Sequence, residues 1–359
     1  MASLLRTLAL NALNLPFYLQ HRQHLRGFRA TVGYWPNITL PRRYHESLLW
    51  RKLFDANPLF VTFCDKLATK DFVATRDATI PVPRTLWSTP AFSAAQGLPI
   101  GSNMVVKANH GCDFNDMPSD APDEPARIEA LARRWLAVDW SLFAMEAAYA
   151  KVPRRLFAEE KLPVEHPLGL IDINVRCCDG QAVLLSVILC NKTPNAQVAY
   201  FDTEGRQLDL GLKAAPHFGQ LEAGFTLPDC WRDAVRHAEV LSRGIDYARF
   251  DFLSDWKQVW AGEITVYPSA GLSLASPADE IGYDTVIADA WDLRKSWFLS
   301  APQRGWKRVY ARMLQRALNA RAAAARRPAQ LGAPAPRARW LGLPARRTDR
   351  VSSPSRRTP

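Results

Sequence analysis

Two short segments, Tyr247-Ala248-Arg249-Phe250-Asp251-Phe252 and Trp260-Ala261-Gly262-Glu263-Ile264-Thr265-Val266, constrain this chain more than any other stretch. Each alternates apolar and polar residues with a period of two, the pattern of a β-strand with one buried face. The run from Ser254 to Gln258 turns one into the other as an antiparallel hairpin. Phe250, Phe252, Trp260, Ile264 and Val266 then share the apolar face, and Arg249, Asp251, Glu263 and Thr265 the polar one. Centred near Lys257, the hairpin sets Asp251 opposite Glu263 and Arg249 opposite Thr265, within reach of one ligand. Two adjacent carboxylates repel unless a cation lies between them, and a guanidinium beside them suits a phosphate. This is the outline of a magnesium–nucleotide site. An ordinary hairpin with a solvated polar face has the same pattern, so the rest of the chain has to decide.

A chain of 359 residues is long enough for two or three lobes with buried cores. The formal charge of +11 suggests nucleic acid until its distribution is read. From Arg304 onward there are 15 Lys/Arg and one acid, Asp349, which leaves 31 Lys/Arg against 34 Asp/Glu before it. The body is mildly acidic and the basicity belongs to the tail. That tail lacks interleaved aromatics, so a nucleic-acid binder is the weakest of the functional readings, and contact with anionic lipid suits it at least as well. The six cysteines form no CxxC pair and the seven histidines no HExxH pair, which removes zinc fingers and metalloproteases. No apolar run reaches membrane-spanning length. Met1 to Gln20 is a poor secretory signal, and Leu4, Leu5, Leu8, Leu15 and Leu19 are expected to form one side of a helix packed on the body. The expected location is the cytoplasm or the inner face of the membrane.

Apolar spacing predicts helices over Tyr44 to Asp55, Phe60 to Ala74, Asp123 to Ala137, Asp139 to Ala150 and Asp229 to Arg243. Strands are expected at Asn103 to Lys107 and Leu156 to Glu160, and a hairpin from Leu170 to Cys190 turns at Asp179-Gly180. From Ala320 onward Ala, Arg and Pro dominate, a composition expected to be disordered. The division expected is an N-terminal helical extension (1–40), an N-terminal lobe (41–100), a nucleotide-binding domain (101–300) and a basic tail (301–359).

Lys107 ends the apolar strand Met104-Val105-Val106 and precedes a loop with Gly111, where a lysine can project into a cleft toward phosphate. Lys66 stands on the preceding helix, and Glu159-Glu160 close an extended segment of the kind that can line an adenine. Each of these residues also suits an ordinary surface. No Walker A motif, GxGxxG or GxSxG occurs.

The order of these pieces resembles the ATP-grasp superfamily and, within it, the TupA-like family of bacterial surface-polysaccharide (teichuronopeptide) synthesis proteins. The resemblance is carried by Asn57-Pro58-Leu59, Asp65-Lys66, Val105-Val106-Lys107-Ala108-Asn109-His110-Gly111, Ala158-Glu159, Arg249-Phe250-Asp251-Phe252 and Gly262 through Leu272, and spans roughly residues 40 to 295. It implies an α+β ATP-grasp fold, two lobes clasping ATP between antiparallel sheets. It also implies roles. Lys66 and Lys107 would bind the ATP phosphates, Glu159 would line the adenine pocket and Asp172 would face the ribose. Asp251 and Glu263 would hold magnesium with Thr265 at the edge of that site. Arg249 would stabilise the transferred phosphoryl group, and Ser269 with the backbone near Gly271 would receive the substrate carboxylate.

The function this implies is an ATP-dependent carboxylate–amine ligase working through an acyl phosphate in cell-surface polysaccharide synthesis. Its partners would be ATP, small carboxylate and amine substrates and a glycan acceptor. Two departures favour a rival reading, a catalytically reduced protein that senses nucleotide or acts as a scaffold. Cys112-Asp113 stands where the family's loop has Ser-Gly, and Asn174 stands where it commonly has lysine. An added acid and a missing cation are both expected to weaken nucleotide binding.

Overall fold

The computed structural model describes residues 2–143, 145–210, 218–273 and 282–330. Three helices open it, α1 (Ala2–Ala12), α2 (Asn14–Gln20) and α3 (Arg22–Val32), followed by α4 (Tyr44–Phe54). The leucine stripe expected to pack inward faces out instead, with Leu4, Leu5, Leu8, Leu15 and Leu19 all exposed. The asparagines explain the rotation. The Asn14 carboxamide accepts from the Ile38 and Thr39 amides (2.9 and 3.0 Å) and donates to Asn37, so Asn14 must face the body. Leu10, Leu25, Phe28 and Val32 supply the buried side.

The helix expected over residues 60–74 is broken into α5 (Leu59–Cys64) and α6 (Lys66–Arg76). Asp65 leaves helical geometry between them and caps α6, its carboxylate accepting from the Leu67 amide at 2.9 Å. Next come the strands of a small antiparallel sheet: β1 (Thr85–Thr89), β2 (Met104–Ala108), β3 (Asn115–Asp116) and β4 (Leu156–Glu160), in the order β1-β4-β2-β3. Helix α7 (Glu124–Ala137) packs Ile128 and Ala132 against Met104, Val106, Leu156 and Ala158. The helix expected over 139–150 is a short α8 (Trp140–Phe143) and a 3-10 turn at Ala147–Lys151. A boundary at residue 100 would cut through this sheet, because β1 pairs with β4.

The larger sheet runs β11-β10-β5-β6-β7-β8, with a short β9 beside β7. Its strands are β5 (Ile171–Cys178), β6 (Gln181–Leu189), β7 (Gln197–Phe201), β8 (Gln207–Leu208), β9 (Gly219–Gln220), β10 (Ala248–Ser254) and β11 (Val259–Thr265), with α9 (Trp231–Ser242) preceding β10. The β5–β6 turn has positive φ at both Asp179 (48°) and Gly180 (85°), which matches the twist of the flanking strands. Alternate residues of the central strands, Ile171, Ile173, Val175, Phe250 and Phe252, are buried in one cluster with residues of α5, α6 and α9. Each buried phenylalanine contributes roughly 2–3 kcal/mol of transfer free energy. The intervening residues face the other way, into a cleft.

Helices α10 (Tyr283–Ala290), α11 (Trp297–Ser300) and α12 (Gly305–Gln330) finish the described chain. The disorder expected from Ala320 does not hold as far as Gln330. There α12 continues as helix, and it is tied to the N-terminal segment by Arg321 Nη1 to the Pro41 carbonyl (2.8 Å) and Tyr310 OH to the Thr39 carbonyl (3.0 Å). The remainder of the expected tail, 331–359, lies outside the described residues. Among the described residues no helix is long and apolar enough to cross a membrane.

Candidate functional site

A cavity of about 920 Å³ opens between the two sheets, lined from below by the polar residues of β5, β6, β10 and β11 and from above by β2, β4 and the loop after β2. Its floor is a grid set by strand register. Asp172 lies beside Leu253 and Ile188, Asn174 beside Asp251 and Ser186, and Arg176 beside Arg249 and Leu184.

Register also corrects the hairpin. Arg249 pairs with Thr265 and Phe250 with Ile264, but Phe252 then pairs with Ala261 and Leu253 with Trp260. Two residues, Gly262 and Glu263, therefore face the single Asp251 across a β-bulge. The bulge reverses the alternation, so Ala261 and Val259 join the core with Phe252 while Trp260 falls on the side of Leu253. Glycine is required there, because a Cβ on Gly262 would lie 2.9 Å from the Asp251 carbonyl oxygen. Both Asp251 and Glu263 line the cavity.

Asp251 is held by a two-pronged pair with Arg249, Nε to Oδ1 at 2.6 Å and Nη2 to Oδ2 at 2.7 Å. The Thr265 hydroxyl donates to Asp251 Oδ2 at 3.0 Å, so it positions that carboxylate rather than presenting a free oxygen. Glu263, half exposed, meets Lys66 from the opposite lobe at 3.2 Å, while Lys66 Nζ also donates to the Gly111 carbonyl at 2.6 Å. Burial would push the Glu263 carboxyl up, but Lys66 and then Lys107 hold it below its ordinary value.

Lys107 and Glu159 pair across adjacent strands. Lys70, one helical turn after Lys66, reaches the other Glu159 oxygen at 2.7 Å and the Pro83 carbonyl at 2.6 Å. Burial acts to raise the Glu159 pKa, yet Lys107 and Lys70 hold it low. Glu159 thus lines the cavity with both oxygens given to lysines. Asn109 fixes this lobe's geometry by bonding Asp65 (2.9 Å), the Pro153 carbonyl (2.9 Å) and the Arg155 amide (2.8 Å). His110 is buried against Phe114 and does not line the cavity.

Asp172 is half-buried on the floor, its pKa raised to about 6 by burial, opposed by a hydrogen bond from Asn191 and reinforced by Asp251. Asp113, expected to repel a triphosphate, has a largely exposed side chain that lies 3.5 Å from Lys192. A different cation, Arg176, stands two residues beyond Asn174 on the same strand face. Arg176 is 6% exposed and lines the cavity.

Beyond β11, Ser269, Ala270 and Gly271 follow one another with φ of 50°, 51° and 67°, a left-handed run that is strained at its two non-glycine residues. Lys52 Nζ holds the Ala270 carbonyl at 2.7 Å and lies 3.4 Å from buried Glu146. Ser269 lines the cavity, as do Ser273 and Tyr283, which hydrogen-bond each other. His45 Nε2 meets Ser273 Oγ at 3.2 Å.

Sequence reasoning named Lys66, Lys107, Glu159, Asp172, Arg249, Asp251, Glu263, Thr265 and Ser269, and these come from distant segments to this cavity and its rim. It missed Lys70 and Arg176 as site residues. Helical spacing from Lys66 and strand spacing from Asn174 were the available signals. Magnesium binds through one or two carboxylates together with phosphate oxygens, and Asp251 and Glu263 are two carboxylates that line this cavity. Among the described residues no group of three or more His, Cys, Asp or Glu gathers into a metal cage.

The model of the TupA-like ATP-grasp family matches residues 46–289. No curated protein matches the sequence. Among solved structures, the chain is similar to the ATP-grasp ligase PsnB complexed with a minimal precursor (16% identity, 69% of this chain and 66% of that one, TM-score 0.34). It is also similar to D-alanine–D-alanine ligase from Bacillus anthracis (15%, 73% and 70%, TM-score 0.33). A third likeness is to a RimK domain ATP-grasp protein from Sphaerobacter thermophilus (12%, 64% and 65%, TM-score 0.32). The chain spans just under two thirds of the PsnB length, and identities this low transfer no residue roles. The family match covers more than half of the sequence. The chain belongs to the TupA-like ATP-grasp family.

Proposed function

We propose that this protein is an ATP-dependent carboxylate–amine ligase. The single observation that carries the reading is the convergence of Asp251 and Glu263 with Lys66 and Lys107, from opposite lobes, on one cavity. In this reading Asp251 and Glu263 hold magnesium, which neutralises triphosphate charge when bound. Lys66 and Lys107 hold the phosphates as point charges, and Asp172 accepts from a ribose hydroxyl. A substrate carboxylate near Ser269 attacks the γ-phosphorus in line and ADP departs, leaving an acyl phosphate. An amine then attacks the carbonyl, phosphate leaves, and the amine proton passes to solvent. Arg249 stabilises the charge of the transferred group, and its two-pronged pairing with Asp251 keeps both groups aligned until substrate arrives.

The acceptor we propose is a carboxylate-bearing sugar of a surface polysaccharide. The scaffold reading rested on Asp113 and Asn174. Asp113 lines the cavity with its side chain exposed and 3.5 Å from Lys192, which offsets part of its charge, and Asn174 lies beside Asp251.

The test is ADP release by the full chain with magnesium and ATP, screened against pairs of amino acids and uronic acids. Turnover that requires both partners and disappears in Glu263→Gln supports the ligase. Nucleotide binding without turnover across the screen favours the scaffold.

We also propose that the protein works at an anionic membrane surface. Residues 1–45 contain six arginines and no acid, and α12 is likewise free of acids. Helix α1 packs against α12, and beside them Leu4, Leu5, Leu8, Leu15 and Leu19 are exposed. Apolar side chains within a basic, acid-free surface suit the interface of anionic lipid. Flotation with phosphatidylglycerol vesicles, lost with neutral vesicles and in Leu5→Glu with Leu8→Glu, supports this. Concentration-dependent dimerisation abolished by the same changes, without flotation, overturns it.

A further inference from the structure

Arg176 is nearly buried, yet no carboxylate among the described residues pairs with it. Its Nη1 donates to Ser186 Oγ at 3.0 Å, and its buried Nε has no partner among the described residues. The guanidinium lies 5.7 Å from the Tyr200 ring centroid and 6.0 Å from that of Tyr283, and these two rings stack on each other at 9°. Aromatic faces hold a cation in place, but they do not satisfy an in-plane N–H. The neighbouring cation, Arg249, is committed to Asp251. A buried charge with an unfilled donor is expensive unless a ligand completes it.

Register says which ligand. Along β5, Asp172, Asn174 and Arg176 step across the cavity floor at about 6.6 Å per pair of residues. The Asn174 row contains Asp251, and the Arg176 row lies one step further from Asp172. If the nucleotide lies with its ribose at Asp172 and its terminal phosphate at Asp251, Arg176 is beyond that phosphate, toward Ser273 and Tyr283. A planar, bidentate donor there matches a carboxylate better than it matches a hydroxyl or an amine.

We propose that Arg176 anchors a carboxylate of the substrate that enters beyond the γ-phosphate. The inference rests on the ligase reading for the nucleotide's orientation. The carboxylate has two chemical sources, a uronic acid and an amino acid, and Arg176 is the residue that makes this enzyme require an anion at that place.

The experiment uses the full chain with magnesium and a non-hydrolysable ATP analogue, and reads ligand binding by saturation-transfer NMR. The probes are glucuronate against glucose, and L-alanine against L-alaninamide. The carboxylate member of one pair should bind and its carboxylate-free counterpart should not; the pair that responds identifies the source. Arg176→Met should weaken that binding at least tenfold and leave analogue affinity within twofold. Without ligands its melting temperature should equal or exceed the parent's, because an uncompensated charge has gone, whereas a purely structural arginine would leave it lower. Arg176→Lys, which keeps charge but loses the fork, should bind the carboxylate with intermediate strength. A parent that binds no nucleotide overturns the ligase reading and this inference with it. A parent that binds nucleotide but takes neither carboxylate, or takes one equally well in both Arg176 variants, overturns this inference alone.

Discussion

Replacing Glu159 by Gln should move stability and nucleotide affinity in opposite directions. Its side chain is 6% exposed and lies between Lys70 and Lys107, whose side chains are 13% and 23% exposed. Removing one partner of a buried ion pair commonly costs about 3–5 kcal/mol, because the other charge is left behind. Lys70 keeps the Pro83 carbonyl and Lys107 can swing into the cleft, so a loss of ~2 kcal/mol is expected. For a chain of this size that is roughly 3 °C in Tm. The released Lys107 charge would then face the triphosphate unopposed. A contact at ~4 Å and an effective dielectric near 20 is worth up to about 4 kcal/mol, and screening should leave ~1 kcal/mol, close to fivefold in Kd. Scanning calorimetry and titration calorimetry with the ATP analogue measure the two effects. The variant should also lose less stability in acid. The Glu159 pKa is depressed in the folded state, so the parent's share is complete above the unfolded value near ~4.3 and is lost as pH falls through the folded one. An unchanged Tm would mean that the lysines do not depend on this carboxylate. Affinity reduced tenfold or more would mean that Glu159 touches the nucleotide itself.

Other outcomes follow from the same geometry. Gly262→Ala should cost about 1–3 kcal/mol, since its Cβ would press on the Asp251 carbonyl, and metal-dependent nucleotide binding should fall with it; unaltered melting and binding would refute the bulge. Burial lowers the His45 pKa well below its ordinary value, Asp284 opposing and Arg43 assisting. The folded ring therefore binds its proton less readily than the unfolded one, and stability should decline as pH drops below about 6.5. In His45→Gln that part of the decline should vanish, as Tm measured from pH 7 to 5 would reveal. Asp113→Gly should alter nucleotide affinity less than threefold, because the carboxylate is exposed beside Lys192; a tenfold gain would restore the expectation drawn from sequence.

Much of this architecture is legible without coordinates, and the exceptions have specific causes. Strand β10 follows from alternation because every second residue of it is buried, and the β5–β6 hairpin follows from its Asp179-Gly180 turn. The placement of Trp260 fails because one extra residue in β11 reverses parity, and Gly262 is its sole trace in the sequence. The helix break at Asp65 is hidden because apolar spacing continues through it, and only the capping aspartate marks it. The leucines of α1 and α2 mislead because a helix that is apolar on two sides cannot say which one it buries. Asn14, with four bonding positions to fill, settles the matter. For the site, residue types and order pointed to Lys107, Asp251 and Glu263. Pairings between strands far apart in the sequence, such as Arg249 lying beside Arg176, emerge only from register.

Calorimetric titration of the full chain with the ATP analogue, with and without magnesium, in the parent and in Glu263→Gln, tests the central claim most directly. Binding in the parent should weaken at least tenfold without magnesium, and binding in the variant should no longer respond to the metal while its Tm stays within about 2 °C of the parent's. Nucleotide binding that is indifferent to magnesium in the parent, or equally magnesium-dependent in Glu263→Gln, would contradict it.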